Sequence, residues 1–219
     1  FFQESIETRN PKALHLPTMV KIWWQVLQHP TFRAFALLSL AAYGALFTYL
    51  ATSSFVFIEV LHLSGLQLGW ILSSMSLVYI TGTIVCRYLL RHIGMRRTIA
   101  LAGASSAFSG LTLCVLVYND WATATGLVLA MYPMILAHGI HQPIGQSGAV
   151  GPFPLSAGAA SALNGFLMML AAFITGYWLS HSIDGTLLPL AHGVAFWGTV
   201  LALTAWTLVQ WHGEPVKAD

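Results

Sequence analysis

Charge is scarce in this chain. Of its 219 residues only 9 are Lys or Arg and 7 are Asp or Glu, while 57% are hydrophobic. A water-soluble fold of that composition would lack the polar surface it needs. Cysteine is scarce too: Cys86 and Cys114 both fall inside apolar stretches, which speaks against a disulfide framework and reads them as small apolar side chains. No basic n-region followed by an apolar core and a cleavage site opens the chain, so nothing resembles a signal peptide. No Asp, Glu, Lys or Arg lies in the middle of any long apolar run. Ion-coupled transport generally needs an ionisable group at that depth, so these residues supply no proton or sodium relay of their own.

What the chain does have is six apolar runs, at about 34–58, 66–90, 98–118, 121–144, 157–180 and 188–211. Each is roughly 21–25 residues, enough to cross a hydrocarbon core at about 1.5 Å per residue. A mean hydropathy of +0.72 agrees. Threaded alternately, the runs put every basic residue on one side. Arg9, Lys12, Lys21 and Arg33 precede the first, Arg87, Arg91, Arg96 and Arg97 cluster at the second connection, and Lys217 follows the last. Connections on the other side carry Glu59, Asp120 and Asp184. This bias predicts that both termini face the cytoplasm, and it assigns the net charge of +2 to topology rather than to nucleic acid. The fold class expected is an all-α integral membrane protein of six transmembrane helices. Residues 1–33 form a cytoplasmic linker, 34–211 the bundle and 212–219 a cytoplasmic tail.

Within the linker, residues 1–17 are polar and broken by Pro11 and Pro17. Val20, Trp23, Trp24 and Leu27 then recur at helical spacing, with Lys21, Gln25 and Gln28 opposite. That pattern suits a short helix at the lipid headgroups or one packed on the ends of the spans. Asn119-Asp120 is expected to turn the third span into the fourth by itself, and residues 145–156, with Pro152 and Pro154, to form a loop. Pro133 should bend the fourth span. In the fifth, Ala157, Ser161 and Gly165 stack into a small-residue strip where another helix can approach. The opening Phe1-Phe2-Gln3 is expected to continue an apolar stretch upstream.

Buried polar groups are expensive in a membrane and so point to function. Most hydroxyls, such as Thr48, Thr52, Ser73, Ser74 and Ser76, can bond their own helix. Asn164 cannot so easily, and is expected to face the bundle or a wet cavity. His138, His141 and Gln142 share a face near the end of the fourth span. Two histidines at that spacing could bind a metal or pass a proton; with no third ligand near, a cavity-lining or locally bonded pair is the competing reading. No metal or cofactor is expected. Gly145-Gln146-Ser147-Gly148 with His192 resembles the Ser/His dyad of rhomboid intramembrane proteases. The threading puts Ser147 and His192 at opposite membrane faces, about 30 Å apart, so no enzyme is expected.

Ser147 to Gly165, SGAVGPFPLSAGAASALNG, resembles the start of helix eleven in Bcr/CflA-type drug efflux transporters of the major facilitator superfamily. Gln3-Glu4-Ser5 with Arg9 is similar to that family's helix-six exit, and Thr52-Ser53-Ser54-Phe55-Val56 to its helix-seven end. Arg91-His92-Ile93-Gly94-Met95-Arg96-Arg97 resembles the superfamily's cytoplasmic loop motif, with Arg91 where an Asp is typical. The resemblance implies helices seven to twelve of a twelve-helix transporter, one half of the fold, facing an N-terminal half across a central cavity. It implies proton-driven efflux of amphipathic molecules by alternating access across a bacterial inner membrane, with the proton carboxylate in the other half. Cavity candidates are then Tyr43, Phe47, Tyr79, Met131, Tyr132, His138, Gln142 and Asn164, each with a packing or lipid-facing alternative, and the 157/161/165 strip would meet the other half. A metabolite transporter of the same fold, and a six-helix protein acting on a second chain without transport, are the alternatives.

Overall fold

The computed structural model describes residues 16–213. The expected linker up to His15, with the likeness at Gln3-Glu4-Ser5, and the tail beyond Gly213 lie outside them. The described residues are helical, with no strand among them. Helix α1 is Leu16–Gln28, α2 Pro30–Ser54, continued by a π-helical turn Phe55–Val60, α3 Gly65–Tyr118, α4 Ala124–Val150, α5 Ala157–Ser182, α6 Leu188–Trp206 and α7 Leu208–His212. Five helical stretches are long and apolar enough to cross a membrane: Pro30–Val60, Gly65–Tyr118, Ala124–Val150, Pro154–Ser182 and Leu188–His212.

The 54-residue α3 takes in the second and third apolar runs, and only Gly94 (φ 78°, ψ 170°) leaves helical geometry within it. The expected connection is therefore a single-residue break. Glycine allows it because positive φ carries no Cβ penalty. Contacts with α4 fix how the arms run. A Cβ on Gly139 would meet the Tyr79 carbonyl at 2.6 Å, Gly82 abuts Leu136, and the Tyr132 hydroxyl donates to Ser74 Oγ. Both helices ascend together, so arm 65–93 runs parallel to α4. In the other arm Ser105 Oγ donates to the Pro133 carbonyl at 2.9 Å and Ser109 Oγ to the Ala130 carbonyl at 2.6 Å, an antiparallel pairing. The two arms thus run in opposite directions.

The centre of the bundle is α2. Gly145 and Gly148 of α4 lie against Ser39 and Phe35, and Gly44 and Thr48 lie against Trp197 and Gly193 of α6; both pairings are antiparallel. Gly103, Gly110 and Gly198 let arm 95–118 close on α6. Such small-residue contacts are how helices associate where burial from water supplies no force.

One end of the bundle gathers Thr31, Met95, Gly151 and Gly213 around a cavity of about 190 Å³. There too Arg33 donates from Nε to the Leu27 carbonyl and from a terminal nitrogen to the Gln28 carbonyl, closing the end of α1. Arg96 and Arg97 flank the Gly94 break at this end, and Arg87 and Arg91 lie just before it. The other end gathers Val60, Tyr118, Asp120, Thr186 and Leu188 around about 400 Å³, with Glu59 and Asp184 nearby in sequence.

Two connections differ from expectation. Helix α4 runs through to Val150, so 145–150 is not loop. Gly145 and Gly148 are the residues that permit close contact with α2, and that packing outweighs their poor helix propensity. Turn 119–123 is longer than Asn119-Asp120, because Thr123 is the N-cap of α4, its hydroxyl accepting from the Gly126 amide at 3.1 Å. In α1, Trp23, Val26 and Leu27 pack on the bundle, while Val20 and Trp24 stay 59% and 63% exposed.

Candidate functional site

The cavity candidates separate into groups. Tyr79 and His138 come together, their rings 5.7 Å apart at an angle of 42°. Both line a cleft of about 500 Å³ between α2, arm 65–93 and α4, with Tyr49 and Met75 on its walls. His138 is 6% exposed and its imidazole reaches the backbone of Ala42, leaving Nδ1 buried without a hydrogen-bond partner. The Tyr49 hydroxyl, in the same cleft, is also buried and unpartnered. Two polar atoms at this mostly apolar wall are unsatisfied in this arrangement, which costs roughly 1–3 kcal/mol each without a partner.

Gln142 and Asn164 form a second group. Gln142 Nε2 points at Met168 Sδ at 3.7 Å, and Asn164 Nδ2 at the same sulfur at 3.9 Å. A thioether is a weak acceptor. Gln142 Oε1 and Asn164 Oδ1 are both buried with no partner. Each carboxamide therefore offers an open carbonyl and donors engaged only by sulfur. Helix α4 and α5 meet here, and the i, i+4 spacing of Asn164 and Met168 puts them on one face of α5.

The remaining candidates go elsewhere. Tyr132 turns to Ser74 with its hydroxyl at 3.1 Å. Phe47 faces Gly176 of α5 at Cβ distances of 3.4–3.6 Å, and Tyr43 is half-buried one turn earlier. Met131 is fully buried at 0% exposure in the hydrophobic core and lines neither group. His141 is likewise fully buried, its Nε2 3.4 Å from Ser106 Oγ, on the α3 side of α4. Among the described residues no three His, Cys, Asp or Glu side chains converge to hold a metal.

Ser147 Oγ donates within its own helix, to the Pro143 carbonyl at 2.8 Å. His192 pairs with the Tyr118 hydroxyl at 2.7 Å, at the opposite end of the bundle, so the Ser/His dyad is not assembled. On α5, Ser161 is exposed and a Cβ on Gly165 or Gly158 would meet nothing within 4 Å. The small strip thus faces away from the described helices. Tyr49 and Met168 were not among the sequence candidates. Met168 could have been found as the same-face neighbour of Asn164, and Tyr49 as the heptad partner of Ala42.

A family model described as MFS/sugar transport protein matches residues 2–144, well over half of the chain. The chain belongs to this family. It is a multi-pass, helical membrane protein of a transport family, and five of its described helical stretches are long and apolar enough to span. No curated protein and no solved structure matches it. The match supports the superfamily that residues 147–165 suggested and carries no efflux subtype. It covers Tyr79, His138 and Gln142, and ends before Asn164 and Met168.

Proposed function

We propose that this chain is the C-terminal half of a major facilitator transporter that carries a small, neutral, polyhydroxylated solute by alternating access. Six crossings are supported by the opposed arms of α3, each long enough for a span, and by the alternation of every helix pairing described. The basic end is the cytoplasmic one by the charge bias of its connections, which puts both termini in the cytoplasm of a bacterial inner membrane. An N-terminal six-helix half, or a second chain, completes the cavity, and the small strip on α5 meets it. That other half holds the group that couples transport to protons.

The observation that carries this reading is the convergence of Gln142 and Asn164 on Met168 with both amide carbonyls buried and unpartnered. A carboxamide both donates and accepts, which suits hydroxyl-bearing solutes, and a solute hydroxyl replaces a weak sulfur contact by a stronger bond. The family's own description, naming sugar transport, points the same way. A second reading, export of amphipathic drugs, is favoured by the cleft at Tyr49, Tyr79 and His138, whose apolar walls and soft Met75 side chain suit varied molecules. Competition separates the two. In proteoliposomes of the intact transporter, unlabelled sugars should displace a labelled sugar, and chemically unrelated lipophilic drugs should not. Displacement by the drugs alone would favour export and overturn the solute assignment.

A further inference from the structure

The cleft and the amide pair are neighbours along one stripe of α4. Ile135 and His138 line the cleft, and Gln142 follows His138 four residues on within the same helix. That spacing puts the Cβ atoms of His138 and Gln142 about 5–6 Å apart. Four polar atoms flank the stripe: the Tyr49 hydroxyl, His138 Nδ1, Gln142 Oε1 and Asn164 Oδ1. All four are buried and unpartnered. The two at the cleft are of opposite kinds. The Tyr49 hydroxyl can donate, whereas the imidazole turns its other nitrogen to the backbone of Ala42, so a neutral ring presents Nδ1 as an acceptor. Beside them the Tyr79 ring, 36% exposed, offers an aromatic face to the cleft.

An aromatic face with one donor and one acceptor beside it is how proteins hold a flat heteroaromatic base, stacked on a ring and bonded at its edge. A lipophilic drug would cover the Tyr79 ring but leave the polar atoms unpaired, and a free sugar would use the amides but leave the cleft empty. A nucleoside joins the two parts directly, a base on one side and a ribose with free hydroxyls on the other. Among the described residues none lining the cleft is Lys or Arg, so the phosphate of a nucleotide finds no countercharge there. We propose that the solute is a nucleoside, with its ribose hydroxyls on Gln142 and Asn164 and its base in the cleft. The base stacks on Tyr79 and turns its edge to Tyr49 and His138. This rests on reading the two amides as the groups that bind the solute's hydroxyls.

The test is counterflow of labelled adenosine and of labelled ribose, run side by side in proteoliposomes of the intact transporter. Adenosine should be carried with a kcat/KM about tenfold or more above that of ribose, the worth of a stacked base. Tyr79→Leu should cut that preference by about tenfold and Tyr79→Phe should keep it, because stacking needs the ring and not the hydroxyl. Tyr49→Phe should cut it by about fivefold, through loss of one hydrogen bond. The ratio of the two solutes is read at equal membrane abundance, so a general loss of folded protein, which lowers both alike, does not imitate the effect. Adenosine carried no better than ribose, or a preference unchanged in both Tyr79→Leu and Tyr49→Phe, would overturn the nucleoside assignment and leave the amide site standing. Failure of both solutes, and of every sugar tried in competition, would bring down the hydroxyl-binding reading as well.

Discussion

A thioether holds two amides weakly, and that weakness is informative at Met168. Replacing it by Leu keeps the volume and removes only the sulfur acceptor, so folding stability should change by less than ~1.5 kcal/mol. The amides of Gln142 and Asn164 then lose the contact that orients them. Met168→Leu is expected to raise the KM for solute by about two- to fivefold, the worth of a weak hydrogen bond, with kcat little changed; transport kinetics in proteoliposomes check this. His138, Gln142 and Asn164 stand out in the sequence because a polar side chain in an apolar run must find a partner or a purpose. The full burial of Met131 does not show in the sequence, because which face of α4 looks inward depends on a helix that carries Pro133 and Pro143. Tyr49 was hidden for a related reason: its hydroxyl is buried by neighbours from other helices, which no local pattern records.

At the scale of the helices, contact between backbones decides what is tolerated. A Cβ at Gly139 would meet the Tyr79 carbonyl at 2.6 Å, and one at Gly82 would collide with the Leu136 carbonyl. Gly139→Ala and Gly82→Ala should each cost about 1–3 kcal/mol through forced separation of arm 65–93 from α4, read as a lower midpoint of thermal unfolding in detergent. Gly158→Ala, where the added methyl meets nothing within 4 Å, should shift the midpoint far less. Gly94→Ala should also destabilise, by about 1–3 kcal/mol, because φ 78° is strained for any residue with a Cβ. The number and rough limits of the apolar runs were legible, since length and hydropathy alone set them. The course of residues 145–150 was not. Glycine there read as a breaker, and only the partner helix reveals that Gly145 and Gly148 are what bring α4 onto Phe35 and Ser39.

For the whole molecule, the separation of charge is the organising feature. Among the described residues, the arginines gather at the end that holds Thr31, Met95 and Gly213, and Glu59, Asp120 and Asp184 at the end that holds Val60, Tyr118 and Leu188. In sealed, oriented vesicles Arg97→Cys and Thr186→Cys should react with an impermeant thiol reagent from opposite sides, with position 97 on the cytoplasmic side. Membership of a transport family was within reach of the sequence through the segment 147–165, while the proposed solute class rests on the geometry of two amides on one sulfur. The most direct measurement is therefore solute counterflow by the intact transporter with Gln142→Leu and Asn164→Leu, each at wild-type membrane abundance. Loss of a hydrogen-bonding amide that the solute uses should lower transport efficiency by roughly tenfold or more in each variant, the effect of ~1.5–3 kcal/mol. Counterflow unchanged in both variants would contradict the assignment of Gln142 and Asn164 as the solute site.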